Sequence, residues 1–311
     1  RRAEVAPLYT VEQARTSLGR FVPTDYDDWI EPGPGVRCRF RDAGHILGSA
    51  ILEIDVGERG HTRRLVASGD IGQPMRPVLR DPVRIARADY LCVESTYGNR
   101  AHRSFAATCD ELALALRRTL EVDGGNVIIP AFAVGRTQEV LFVLADLVRA
   151  GRIARLDVVV DSPMASAVTA LTVRHAALWD DETRALYAWA EANSGRFRVR
   201  FVQDVEESKA LNAVPGGLVV ISASGMCDAG RIKHHLRHNL GRRECAVVIA
   251  GFQAAGTLGR RLVDGAHQVT LFGERIPVRA RIHTIGGLSA HADQPALLDW
   301  LRGFGEAPRR T

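Results

Sequence analysis

The rhythm of apolar and polar positions changes along this chain. A short helix is expected over residues 11–19, opened by Thr10. Then come β-rich pieces at Val36–Arg41, Ala50–Val56 and Arg64–Ala67, with Glu31-Pro32-Gly33-Pro34-Gly35 read as turn chemistry. Another strand, Tyr90–Val93, ends at Glu94-Ser95-Thr96-Tyr97-Gly98. Near residue 104 the pattern shifts. Helical periods over 105–121, 136–150, within 162–190, 204–212 and 228–239 alternate with largely apolar strands at 126–129, 156–160, 199–202, 218–222 and 245–250. Continuous apolar strands between amphipathic helices predict a parallel sheet covered on both faces. From about residue 266 β-type pieces return, at 267–272 and 276–282, before a last amphipathic helix over 293–303. The pattern predicts an α/β block inserted into a β-richer fold.

Length agrees with two blocks, since 311 residues exceed a typical single domain. The formal charge of +5 permits an anionic partner without requiring one. Lys209 and Lys233 are the only lysines, so the basic side chains are almost all arginine, whose planar fork suits phosphate; GC-rich coding gives the same bias. The five cysteines are odd in number, scattered and without CxxC, which argues against a disulfide framework or a cysteine zinc site. No apolar run reaches the roughly 20 residues that cross a bilayer, and Arg1-Arg2-Ala3-Glu4 opens no signal peptide. The expectation is a cytoplasmic protein with no membrane partner. No nucleotide-binding glycine motif is present.

Four short stretches carry candidate chemistry. His45 sits in Gly44-His45-Ile46-Leu47-Gly48, a turn between two strands. Asp70 lies in Ser68-Gly69-Asp70-Ile71-Gly72, directly after a strand, a usual place for a metal ligand. Glu94 ends an apolar strand, where a carboxylate needs a partner or a proton role. His291, in Ser289-Ala290-His291-Ala292-Asp293, precedes the last helix. Taken singly, His45 and Asp70 read more readily as turn residues and Glu94 as a strand-end carboxylate reaching solvent, while His291 reads as well as a helix-start residue.

Together the strings GHILGSA, SGDIG, ESTYG and SAHAD, in this order, resemble the metallo-β-lactamase fold nucleases that carry a β-CASP insertion. The resemblance extends through PLYT at 7–10, IPAFAVGRTQE at 129–139, DSPMA at 161–165, ISASGM at 221–226 and TLGRRL at 257–262. It implies a partial αββα metallo-β-lactamase sandwich over 1–103, a β-CASP domain over 104–265 and a return to the first fold over 266–311. It also implies two zinc ions, with His45 a ligand and Asp70 the bridging carboxylate. Glu94 and His291 then match β-CASP motifs A and B, with His291 poised to assist the leaving oxygen and Glu94 tuning its neighbours. The implied activity is zinc-dependent hydrolysis of single-stranded RNA, as an endonuclease, a 5'-exonuclease or both. A non-catalytic scaffold subunit and a small-molecule hydrolase of the same fold are the alternatives. Relatives often pair, so the resemblance leaves a homodimer open.

Weaker substrate candidates are Arg136, Ser162, Ser224 and Gly225. Gly/Ser loops between strand and helix present N–H groups to phosphate, although capping by Ser162 and Ser224 and a solvated Arg136 account for them equally well. His234, His235 and His238 are expected on a solvated or phosphate-facing helix. His61, His102, His175 and His267 lack supporting context, and His283 lies near the His291 loop. The family's HxHxDH string is absent, and its last His motif is expected beyond Thr311. The sequence is therefore expected to be truncated at both ends, with the remaining zinc ligands outside it and the stretch itself inactive.

Overall fold

The computed structural model describes residues 7–58 and 60–309; the readings made at Arg1–Glu4 and Thr311 lie outside them. Thr10 caps α1 (Val11–Leu18) through a reciprocal capping box with Gln13. β1 (Ile30–Gly33) and β2 (Val36–Asp42) form a hairpin, so the expected turn at 31–35 is strand as far as Gly33 and turns at Pro34-Gly35. β3 (Ala50–Glu58) and β4 (His61–Ala67) continue antiparallel, and β5 (Tyr90–Cys92) joins β4 in parallel. The core on this five-stranded sheet joins Ile51, Val66, Ile71 and Leu91 to Leu297 and Trp300 from the far end of the chain. The first block is thus closed by residues more than 200 positions away, which brings Asp70 and His291 within reach of each other.

The second block follows with α2 (Phe105–Leu116), β6 (Val127–Pro130), α3 (Arg136–Arg149), β7 (Leu156–Val160), α4 (Pro163–Arg174) and α5 (Asp181–Ala192). It continues with β8 (Phe197–Phe201), α6 (Val205–Leu211), β9 (Leu218–Ser222), α7 (Ile232–Asn239), β10 (Ala246–Ile249) and α8 (Leu258–Val263). A hairpin of β11 (Gln268–Leu271) and β12 (Glu274–Pro277), the strand β13 (Arg281–Thr284) and α9 (Gln294–Leu301) complete the order.

The expected parallel sheet is present, with six strands ordered β13-β10-β6-β9-β7-β8 and every pairing parallel. Alternate residues of its strands feed two separate cores. Val127, Ile129, Val158, Val160, Val219 and Ile221 join one core, and Ile128, Val159 and Val220 the other. A one-residue slip would exchange the two sets, so apolar residues at every position specify a sheet covered on both sides. Full burial of each Val or Ile contributes roughly 1.5–3 kcal/mol, which holds the helices in place.

Several element boundaries differ from expectation. The helix expected to run through 121 is α-helical only to Leu116, then winds as a π-helix over Arg117–Val122. The single strand expected over 276–282 is two strands. Val278 donates to the His267 carbonyl, and Arg279 and Ala280 both donate to Leu240, which turns the chain between β12 and β13. β13 pairs with β10, so the parallel sheet extends past residue 265. α7 begins at Ile232 rather than 228, because 224–231 form a tight loop in which Ser224 N–H meets the Ala229 carbonyl. The expectation of a solvated α7 face fails at His235, which is 1% exposed and bonds to buried Asp161 at 2.6 Å.

Candidate active site

His45, Asp70 and His291 converge although they are far apart in sequence. One ligand atom from each lies within 4.8 Å of the others. His45 Nε2 stands 3.8 Å from Asp70 Oδ2, and the His45 and His291 ring centroids are 4.4 Å apart. Backbone pairing creates this convergence. Residues 290–292 lie against 71–73 as a short antiparallel bridge, with Gln73 donating to Ala290 and Ala292 donating to Ile71. The His45 turn is fixed by Ser49, whose hydroxyl accepts from the N–H groups of His45 and Ile46. The two loops touch at Gly72, where an added Cβ would overlap the Gly44 carbonyl. That close approach requires glycine and sets the separation of His45 from Asp70.

Glu94 stands behind His291. Its Oε1 accepts from Ile71 N–H at 2.5 Å, and its Oε2 lies 3.2 Å from His291 Nδ1. Burial works to raise the Glu94 pKa. Hydrogen bonds from His291, Thr96 and Ile71 outweigh it and leave the carboxyl below its usual range. The same bond to Glu94 raises the His291 pKa against the effect of burial. His45 moves the other way: burial, then the nearby His291, lower its pKa and favour the neutral imidazole. A neutral imidazole beside an exposed carboxylate is the form that ligates a metal.

His102, which lacked context in the sequence, supports the same loop. Its Nε2 lies 3.0 Å from the His291 carbonyl, and its N–H donates to Asp293, which also caps α9. Its ring packs edge-on against Tyr97 at 4.6 Å. The six-residue span from Tyr97 through His102 was the available signal, and nothing in its residue types singled it out.

The site opens into a cleft of about 560 Å³ between the blocks, lined by His45, Tyr97, Arg136, Gly225 and His291 among others. Arg136 is half-buried and ion-paired rather than solvated. It donates to the Ala250 carbonyl and pairs with Glu139, which Arg76 from the first block also approaches at 3.8 Å. Burial raises the pKa of Glu139, which both arginines oppose. Gly225 lines the cleft, whereas Ser162 accepts from Ala165 N–H as the cap of α4, and Ser224 accepts from Ala229 N–H at 3.4 Å within its own loop. His283 sits on β13 with its Nε2 buried and without a hydrogen-bond partner among the described residues.

The Beta-Casp domain family matches residues 137–262, and the Zn-dependent metallo-hydrolase RNA specificity domain matches 275–309. The chain is 39% identical over 297 residues to Ribonuclease TTHA0252 of Thermus thermophilus, covering 96% of this chain and 67% of that protein. It belongs to the β-CASP metallo-β-lactamase nuclease family. It is also 30% identical over 297 residues to an RNase J-like protein of Methanocaldococcus jannaschii, covering 94% of this chain and 67% of that one. The transcription termination factor FttA of Methanosarcina mazei is 29% identical over 308 residues, which make up 95% of this chain and 47% of FttA. The chain thus spans from about half to two thirds of the length of the curated relatives it matches.

Zinc is the family's metal, and the donor set fits it. One nitrogen of His45, one of His291 and an oxygen of Asp70 lie within 4.8 Å of one another, an imidazole and carboxylate set of the kind zinc takes.

Proposed function

We propose that this chain forms the cleft-bearing part of a zinc-dependent ribonuclease that hydrolyses phosphodiester bonds of single-stranded RNA. The observation that carries the reading is the convergence of His45, Asp70 and His291, with Glu94 behind His291. His45 and Asp70 would hold zinc, which supplies Lewis-acid activation of water and of the phosphoryl group. The chain's own residues do the rest. Glu94 fixes the His291 ring through Nδ1, which leaves Nε2 to carry a proton toward a departing sugar oxygen. The bond to Glu94 raises the His291 pKa, which favours the protonated ring. Gly225 and the Arg136 region line the wall where the RNA backbone would run.

The same reading divides the chain into a metallo-β-lactamase block, a β-CASP block beginning near residue 104, and a return. The pairing of β13 with β10 supports placing that return after β13. No described helix is long and apolar enough to cross a membrane; a cytoplasmic location and pairing of two copies belong to the proposal. The test is cleavage of end-labelled single-stranded RNA by protein expressed from the complete gene, beside His291→Ala. Metal-dependent cleavage lost on chelation and reduced at least 100-fold in the variant, the lower end of general acid–base contributions of about 10²–10⁴, supports it. RNA binding without cleavage turns the reading to a scaffold subunit.

A further inference from the structure

Apolar side chains stand open in the cleft where phosphate hydrolysis has no use for them. Phe132 and Phe252 are 50% and 59% exposed, and both line the cleft that holds His45 and His291. Each leaves a phenyl ring largely in water, forgoing much of the roughly 1.5–3 kcal/mol that burial would provide. Their positions are not scattered. Phe132 follows β6 and Phe252 follows β10, adjacent parallel strands, so the two loops emerge side by side at the carboxyl edge of the sheet. Open α/β sheets bind ligands at that edge.

Phe132 is also held. A Cβ on Gly225 would lie 3.1 Å from two carbons of its ring, so the ring packs against glycine backbone and no larger residue fits there undisturbed. Buried Gln253 donates to the carbonyls of both Gly225 and Phe252, which ties the two loops together. A ring supported from one side and open on the other is a stacking surface. Phosphate chemistry gives it no role, but every nucleobase offers a π face.

We propose that Phe132 and Phe252 form a base-stacking platform that holds nucleobases of single-stranded RNA beside His45 and His291. The inference rests on the ribonuclease reading above. It implies that the cleft grips the bases as well as the backbone, without selecting among them. It also gives Gly225, on the cleft wall, a role as the seat of Phe132.

The test is binding by fluorescence anisotropy in the His291→Ala background, which leaves the strand uncleaved. The probes are a labelled ten-nucleotide oligouridylate and an abasic oligomer of equal length and charge. Phe132→Ala and Phe252→Ala should each raise the Kd for oligouridylate by roughly 5- to 150-fold, the equivalent of about 1–3 kcal/mol per stacked base. The abasic oligomer should bind all proteins within about twofold of one another, on the same reasoning. Phe132→Tyr should restore oligouridylate binding, which a general loss of folding could not mimic. Equal weakening of both oligomers, or of neither, overturns the platform while leaving the ribonuclease reading intact. A parent protein that binds neither oligomer overturns that reading and the platform with it.

Discussion

Asp161 offers the sharpest test of how the second block is held. Its carboxylate is 0% exposed and accepts from Arg231 at 2.7 Å, Ser208 at 2.6 Å and His235 at 2.6 Å. These donors come from α6, α7 and the turn before α7, and the Ser222 hydroxyl donates to the Asp161 carbonyl. One carboxylate therefore joins β7 to both helices and to the loop that carries Gly225. Asp161→Ala leaves a guanidinium, an imidazole and a hydroxyl without their acceptor. Breaking a buried ion pair by removing one partner costs about 3–5 kcal/mol. Asp161→Asn keeps one acceptor oxygen and should cost about 1–3 kcal/mol, the loss of charge-assisted bonds. The pH dependence has a definite sign. Burial works to raise the Asp161 pKa, but the three hydrogen bonds prevail and lower it. A depressed carboxyl pKa stabilises the fold above the unfolded value of about 3.9, and that contribution is lost as pH falls through the folded value. Urea unfolding at pH 7 should show the full gap between parent and Asp161→Asn, and the gap should shrink at pH below about 3.9. A gap under about 1 kcal/mol for Asp161→Ala, or one that stays constant into acid, refutes the reasoning.

Other perturbations separate site geometry from stability. Gly72→Ala places a methyl group against the Gly44 carbonyl and pushes the Asp70 and His45 loops apart; zinc affinity by competition titration should fall about 10- to 100-fold, the range for disturbed metal surroundings. Glu94→Ala strands the Ile71 N–H and should cost about 1–3 kcal/mol in thermal unfolding. Arg76→Met removes the donor to the Gly287 carbonyl in the loop before His291, and it also leaves Glu139 with Arg136 alone. Losing Arg76 removes one of the two cations that oppose the burial-driven rise of the Glu139 pKa and shifts that carboxyl toward its neutral form, so the measured unfolding cost should fall below the roughly 3–5 kcal/mol of a fully broken pair.

The sequence disclosed the second block best. Strands such as Val127–Pro130 and Ala246–Ile249 are apolar at every position, and nothing but a two-sided sheet buries both faces of such a run. Boundaries set by tertiary hydrogen bonds were hidden. The break before β13 depends on the Leu240 carbonyl, about 40 residues upstream, and no local propensity encodes it. The four chemical strings were legible because glycines and a strand-end carboxylate mark tight loops, and the fold brings His45, Asp70, Glu94 and His291 together. His102 was not legible, since its role comes from a backbone carbonyl 189 positions away. His235 was misread because helical position alone does not reveal a buried partner such as Asp161. Arg136 likewise has the residue type of a surface cation and the environment of a core ion pair.

The most direct measurement is zinc content together with RNA cleavage, in protein expressed from the complete gene, for the parent and for an Asp70→Ala variant. The account predicts near two zinc ions per chain in the parent, as a two-metal site requires. It also predicts cleavage of single-stranded RNA that stops on chelation, and loss of both zinc and cleavage in the variant. A parent that carries no zinc, or one whose zinc and cleavage survive Asp70→Ala, would contradict it.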